Sequence, residues 1–187
     1  MKCLYIYNLF YSLLGVKFGK KVKLQGIPVI AKTKKAKITL ENNVTIKSSL
    51  LSNLIGLYQR SIIVARASGA VVEIGEGSGL SGVTIYAREC IKIGKDCRIG
   101  ANTKIFDNDF HPVEPTLRLE ASNKNMKVKP VLIGDNVFIG CNSIILKGTT
   151  IGDNTTIGAG SVVSGNIPAN CVAAGNPAKV IRYFENE

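Results

Sequence analysis

The 187-residue chain has one histidine, His111, in the run Ile105-Phe-Asp-Asn-Asp-Phe-His-Pro112. An imidazole beside carboxylates is what a general base near neutral pH requires: a titratable nitrogen whose cation a carboxylate stabilises. In strand geometry alternate residues share a face, so Asp107, Asp109 and His111 are expected to point the same way. Asp107, Asn108 and Asp109 also have an ordinary use, the capping of corners and loops. Residues 112–130 are polar and charged and follow no repeat, which predicts a protruding loop of the kind that carries function. A base at its root suits removal of a proton from an acceptor oxygen or nitrogen.

Several chemistries are excluded at once. With a single histidine, no site needing two or three His ligands forms within one chain. Cys3, Cys90, Cys97, Cys141 and Cys171 are odd in number and contain no C-x-x-C pair. They make neither a disulfide framework nor a zinc site, and a reducing, cytoplasmic setting is expected. The Cys141 thiol has a bland reading as a small residue at a corner. Net charge is +11, but residues 1–47 hold ten lysines against Glu41 alone, a net of +9, and residues 48–187 carry only +2. That first segment contains no arginine, so nucleic acid is not the expected partner.

The elements that must position His111 follow a six-residue period. Ile133, Ile139, Ile145, Ile151, Ile157 and Val163 are spaced by six, and the same phase runs through Ile93, Ile99 and Ile105. Ile74 and Leu80 carry a shifted phase, with traces at Leu40 and Ile46. Glycine follows the aliphatic residue at Gly94, Gly100, Gly134, Gly140, Gly152 and Gly158, and small or β-branched residues stand four places after it. Asp96, Asn102, Asn136, Asn142 and Asn154 are types that tolerate left-handed backbone at a corner. A short strand and a corner every six residues describe a three-sided solenoid in which each aliphatic stacks on its counterpart in the next coil. Four segments are expected: an apolar and basic helix over 1–20, irregular early coils over 21–72, regular coils over 73–174, and a tail over 175–187.

The first segment reads two ways. Cys3, Ile6, Phe10, Leu13 and Leu14 fall at helical spacing. Packing on the body or on a sister subunit is one use of that stripe, and an interfacial helix with its lysines toward anionic lipid is the other. The run is too short to span a bilayer.

These repeats, the Ile105–Pro112 run and the stretch Pro130–Arg182, with IGAGSVV at 157–163 and AAGNPAKVIR at 173–182, resemble the hexapeptide-repeat acyltransferases, in their sugar O-acetyltransferase branch. The resemblance implies a left-handed parallel β-helix that assembles as a homotrimer with its sites between subunits. It implies direct transfer from acetyl-CoA without a metal, with His111 as base, Asp109 orienting it, and the Cys141 backbone N–H stabilising the oxyanion from a coil near the base. It maps pantetheine contacts onto Ala159 and Ser164–Gly165, where relatives often have a lysine beside the serine, and phosphate contacts onto Lys179 and Arg182. Acceptor contacts fall on Asp107, Asn108, Ser81 and Gly82, the last two where relatives tend to have asparagine.

The expected function is transfer of acetyl to a sugar hydroxyl in surface polysaccharide or lipopolysaccharide synthesis, on a free, nucleotide-linked or lipid-linked glycan. N-acetylation of a nucleotide-linked amino sugar, acetylation of an antibiotic, and an inactive trimeric scaffold are the alternatives.

Overall fold

The computed structural model describes residues 6–120 and 124–185. Cys3 of the expected helix, three residues of the 112–130 loop and the last two residues of the tail lie outside the described residues. The chain forms a left-handed parallel β-helix of three sheets. The first face stacks Lys17–Phe18, Lys37–Leu40, Val71–Ile74, Cys90–Ile93, Val131–Ile133, Thr150–Ile151 and Asn166–Ile167. The second stacks Lys23–Gln25, Thr45–Lys47, Gly79–Ser81, Arg98–Ile99, Phe138–Ile139, Thr156–Ile157 and Cys171–Gly175, closed by the antiparallel strand Ala178–Tyr183. The third stacks Val29–Lys32, Ile62–Ala65, Thr84–Ala87, Lys104–Phe106, Ile144–Ile145 and Val162–Val163. Each coil visits the three faces in that order, so the solenoid has three edges. The sheets run without a break through residues 72–73, and the long excursion of the early coils is confined to the corner between Thr45–Lys47 and Ile62–Ala65.

The period determines the core. Ile99, Ile139 and Ile157 occupy one register position on the second face, as do Ile93, Ile133 and Ile151 on the first and Ile105, Ile145 and Val163 on the third. All are buried, and each removes a large aliphatic side chain from water at about 1.5–3 kcal/mol. The small residues four places on are the inward hydroxyls. Ser143 and Ser161 are fully buried and donate to the carbonyls of Gly140 at 2.9 Å and Gly158 at 2.6 Å, so no polar atom there is stranded. Asp96, Asn102, Asn136, Asn142 and Asn154 all have φ between 52° and 62°, the left-handed corner their types predict.

A helix, α1 (Ile6–Leu13), lies on the first coil, and the face it packs is not the expected one. Tyr7, Asn8 and Tyr11 turn inward. Asn8 Nδ2 donates to the Val22 carbonyl at 2.9 Å and the Tyr11 hydroxyl to the Pro28 carbonyl at 2.5 Å. The first coil has no preceding coil above it, so polar side chains that bond its backbone serve better there than aliphatic ones. Ile6, Phe10, Leu13 and Leu14 point outward instead, joined by Leu9.

Candidate active site

The third edge carries His111. After Lys104–Phe106 the chain leaves the coil at Asp107 and returns at Lys129, and the root of this loop is tied. Lys129 N–H donates to the Asp107 carbonyl at 2.9 Å, Asp109 N–H to the Lys127 carbonyl at 3.2 Å, and Asn108 bridges Val128. A single helical turn, Pro115–Arg118, follows within the loop. Lys127 Nζ lies 3.2 Å from Glu114 Oε1. The Glu114 carboxyl is held below its ordinary pKa first by its own backbone N–H and then by Lys127.

The expected strand alternation from Asp107 to His111 fails, and two acceptor assignments fail with it. The Asp107 carboxylate is fully buried and accepts the backbone N–H groups of Arg88, Glu89 and Cys90 at 2.7–3.0 Å. Asn108 is buried too. Its amide donates to Asp107 at 3.1 Å, and its oxygen accepts Phe110 N–H at 3.0 Å. Both clamp the corner, and neither side chain reaches an acceptor. Phe110 then takes φ 62°, which breaks the alternation and turns His111 outward. The Phe110 ring packs on Tyr86 and Phe106, with centroids 5.1 and 5.4 Å away, so aromatic side chains brace the backbone before His111.

Asp109 has a partner that pattern reading missed. Its Oδ1 lies 2.6 Å from Lys147 Nζ, with both side chains three-quarters buried or more. Its Oδ2 is buried with no hydrogen-bond partner among the described residues. Because Ile105 pairs with Ile145, Lys147 falls directly beneath the start of the loop, a position that coil-by-coil alignment makes legible. The next pairing, Ile145 with Val163, places Ser164 and Gly165 on this same edge one coil further down, both exposed.

The second edge is built differently from the first, and one residue type makes the difference. On the first edge, Asp135 Oδ1 accepts Lys95 N–H and Asp153 Oδ1 accepts Asp135 N–H, each at 2.7 Å, so these two corner amides are capped by a carboxylate from the coil below. The equivalent residues of the second edge are Ala101, Cys141 and Ala159, which have no carboxylate to offer. The amides on either side of Cys141 are bonded, Gly140 N–H to the Ile157 carbonyl and Asn142 N–H to the Ala101 carbonyl, both at 2.8 Å. Cys141 N–H itself donates to none of the described residues. Cys141 lines a cleft of about 310 Å³ together with Ile55, Ala101, Phe138, Ile157 and Ala159. Such a site fits a thioester arm: apolar walls for the chain and a free amide for a carbonyl oxygen.

The excursion over residues 48–61 roofs this edge. Asn102 Nδ2 donates to the Gly56 carbonyl at 2.9 Å, Gln59 Nε2 to the Gly82 carbonyl at 3.2 Å, and Asn53 Nδ2 to Ser81 Oγ at 3.2 Å. Ser81 is 8% exposed and Gly82 lies beneath Leu57 and Gln59, so neither is near His111 in this chain. Ser81 instead borders a hollow of about 410 Å³ on the second face, together with Lys47, Arg98 and Phe138. At the lower end of the edge, Gly175 N–H donates to Ser161 Oγ at 3.1 Å and anchors the closing hairpin. Lys179 and Arg182 are exposed on that hairpin, with the Arg182 guanidinium 5.0 Å from the Phe184 ring.

The expected site residues therefore fall on two edges of the chain. His111, Asp109, Ser164 and Gly165 share the third edge, while Cys141, Ala159, Lys179 and Arg182 follow the second, with the whole third face between them. Within one chain the strand pair Lys104–Phe106 and Ile144–Ile145 lies between His111 and Cys141. Among the described residues no three His, Cys, Asp or Glu side chains gather as metal ligands.

The chain matches two family models: bacterial transferase hexapeptide (six repeats) over residues 130–165, and hexapeptide repeat of succinyl-transferase over residues 90–105. It is 44% identical over 104 residues to the galactoside O-acetyltransferase of Escherichia coli K12, covering 56% of this chain and 49% of that protein. It is 36% identical over 121 residues to the polysialic acid O-acetyltransferase of Escherichia coli O1:K1 / APEC, covering 64% and 38%. The chain thus spans about half the length, or less, of these relatives. A solved galactoside acetyltransferase in complex with coenzyme A aligns over 90% of this chain and 65% of that one, at 28% identity and a TM-score of 0.58.

Proposed function

This chain belongs to the hexapeptide-repeat acyltransferase family, and from that premise we propose that it transfers acetyl from acetyl-CoA to a sugar hydroxyl. The observation that carries the reading is the uncapped Cys141 amide beside an apolar cleft, where the first edge caps the same position with Asp153. The acceptor oxygen attacks the thioester carbonyl as the His111 imidazole takes its proton. The tetrahedral oxyanion rests on the Cys141 N–H. Collapse breaks the C–S bond, and the proton returns from the imidazolium to the departing thiolate, leaving CoA and the acetyl ester. No acyl-enzyme is needed, and the Cys141 thiol takes no part.

We read these two edges as half-sites completed by assembly. In a homotrimer the third edge of one copy meets the second edge of the next, bringing His111 to the partner's cleft. Ala159, Ser164 and Gly165 then border the acyl arm, and Lys179 and Arg182 receive the phosphates at its far end. The relatives that act on galactoside and polysialic acid favour a carbohydrate hydroxyl as acceptor, and surface-polysaccharide synthesis in the cytoplasm is the setting that suits it.

Turnover of acetyl-CoA against a panel of free, nucleotide-linked and lipid-linked sugars tests the reading, with His111→Ala as control. A hydroxyl acceptor should lose about 10²–10⁴-fold in kcat on that substitution. An amine attacks with less help from a base, so a small loss with an amino sugar would point to N-acetylation. No thioester cleavage with any acceptor, and no rise in Tm with acetyl-CoA, would leave an inactive scaffold.

A further inference from the structure

The outward face of α1 is not explained by acyl transfer. Ile6, Leu9, Phe10, Leu13 and Leu14 are spaced i, i+3, i+4, i+7, i+8 and form one stripe. They are 53–80% exposed, so the stripe stands proud of the body. The helix is held in this orientation from behind by the Asn8 and Tyr11 hydrogen bonds to the first coil. Lys17, Lys20, Lys21 and Lys23 are exposed on that same coil, and Lys34, Lys35 and Lys37 are exposed where it passes into the second. Glu41 is the only acid between residues 6 and 47, and none of these lysines enters an ion pair among the described residues.

We propose that this end of the solenoid docks on an anionic membrane surface, with the stripe of α1 in the acyl boundary and the lysines of the first coil on the lipid headgroups. Among the described residues no helix is long and apolar enough to cross a bilayer, and the eight residues of α1 are long enough to lie in its interface. Charge decides the occupant. Two copies meeting through this face would set lysine-rich coils against each other, whereas anionic headgroups neutralise them. The proposal stands on the helix and the first coil, and does not depend on the acetyltransferase reading.

Vesicle co-sedimentation tests it on the full chain. Binding is expected to vesicles of phosphatidylglycerol with phosphatidylcholine and not to phosphatidylcholine alone. It should weaken about tenfold for each of Leu9→Asp and Leu13→Asp, and about fivefold per neutralised lysine in Lys17→Gln, Lys20→Gln and Lys21→Gln. The chain contains no tryptophan, so Leu13→Trp gives a single fluorophore whose emission should shift to the blue on anionic vesicles and be quenched by brominated lipid. Folded wild-type protein that ignores anionic vesicles would overturn the proposal. So would binding indifferent to Leu9→Asp and Leu13→Asp. A lipid-free assembly whose mass falls in the same two variants would also overturn it, assigning the stripe to a second copy. Acetyl-CoA turnover on a soluble sugar should be unchanged in these variants, which separates failure here from failure of the acyl-transfer reading.

Discussion

At the scale of the residue, the Asp109–Lys147 pair explains how an exposed histidine can be held in place. His111 N–H donates to the Asp109 carbonyl at 2.7 Å, so fixing Asp109 fixes the backbone of the base. Lys147→Met should leave a mostly buried carboxylate without its cation and cost about 1–3 kcal/mol, measured by denaturant unfolding. The cysteines give a second residue-scale test. Burial pushes the Cys97 and Cys90 thiols up, so both carry little thiolate at neutral pH and should alkylate slowly, faster as pH rises. Cys141 lies along the cleft and should be labelled first of the described thiols. Acetyl-CoA should protect it, as read by peptide-level mass spectrometry.

At the scale of the element, the contrast between the first and second edges predicts a substitution that separates folding from function. Ala159→Asp copies the first edge, where an aspartate in this register caps the amide above it. The variant should fold with an unchanged Tm, yet lose acetyl transfer because its own carboxylate occupies the Cys141 amide. Gly140→Ala should do the opposite and destabilise the fold, because a Cβ there would overlap the Ala159 backbone. How much of this the sequence disclosed depends on the element. The six-residue period carries the coils, the inward hydroxyls and the left-handed corners, because each of those choices repeats. The period also contains the capping difference, as Asp153 against Ala159. The non-repeating segments did not disclose themselves. Asp107 reads as easily as a ligand-facing carboxylate as it does a clamp, and only tertiary contacts with Arg88, Glu89 and Cys90 decide. For α1, helical spacing located the apolar stripe, but only the bonds to Val22 and Pro28 reveal which side faces the body.

At the scale of the whole molecule, the separation of the two half-sites makes assembly part of the proposed chemistry. His111→Ala and Ala159→Asp damage different edges, so each variant alone should be inactive. Mixed and reassembled at equal amounts, they should regain about a quarter of wild-type turnover, the fraction of random neighbours that pair an intact third edge with an intact second edge. No recovery on verified subunit exchange would place the site within one chain. The uneven charge, with nearly all the excess on the first quarter of the sequence, gives the solenoid a polarity along its axis. The basic coil lies at one end, and Lys179 and Arg182 at the other.

The tied root of the 107–129 loop has a practical consequence. Asp107, Asn108 and Lys129 close the excursion on themselves, and the Gly148 N–H bond to the Lys129 carbonyl at 3.1 Å fastens that closure to the coil beneath. The stack therefore has no stake in how many residues lie between, and added length costs only the slow logarithm of loop closure. The segment behaves as a replaceable cassette. A chimaera that keeps 107–111 and 127–129, and with them the base, while carrying a foreign insert should melt like the parent, and selection among inserts could then redirect which acceptor is acetylated.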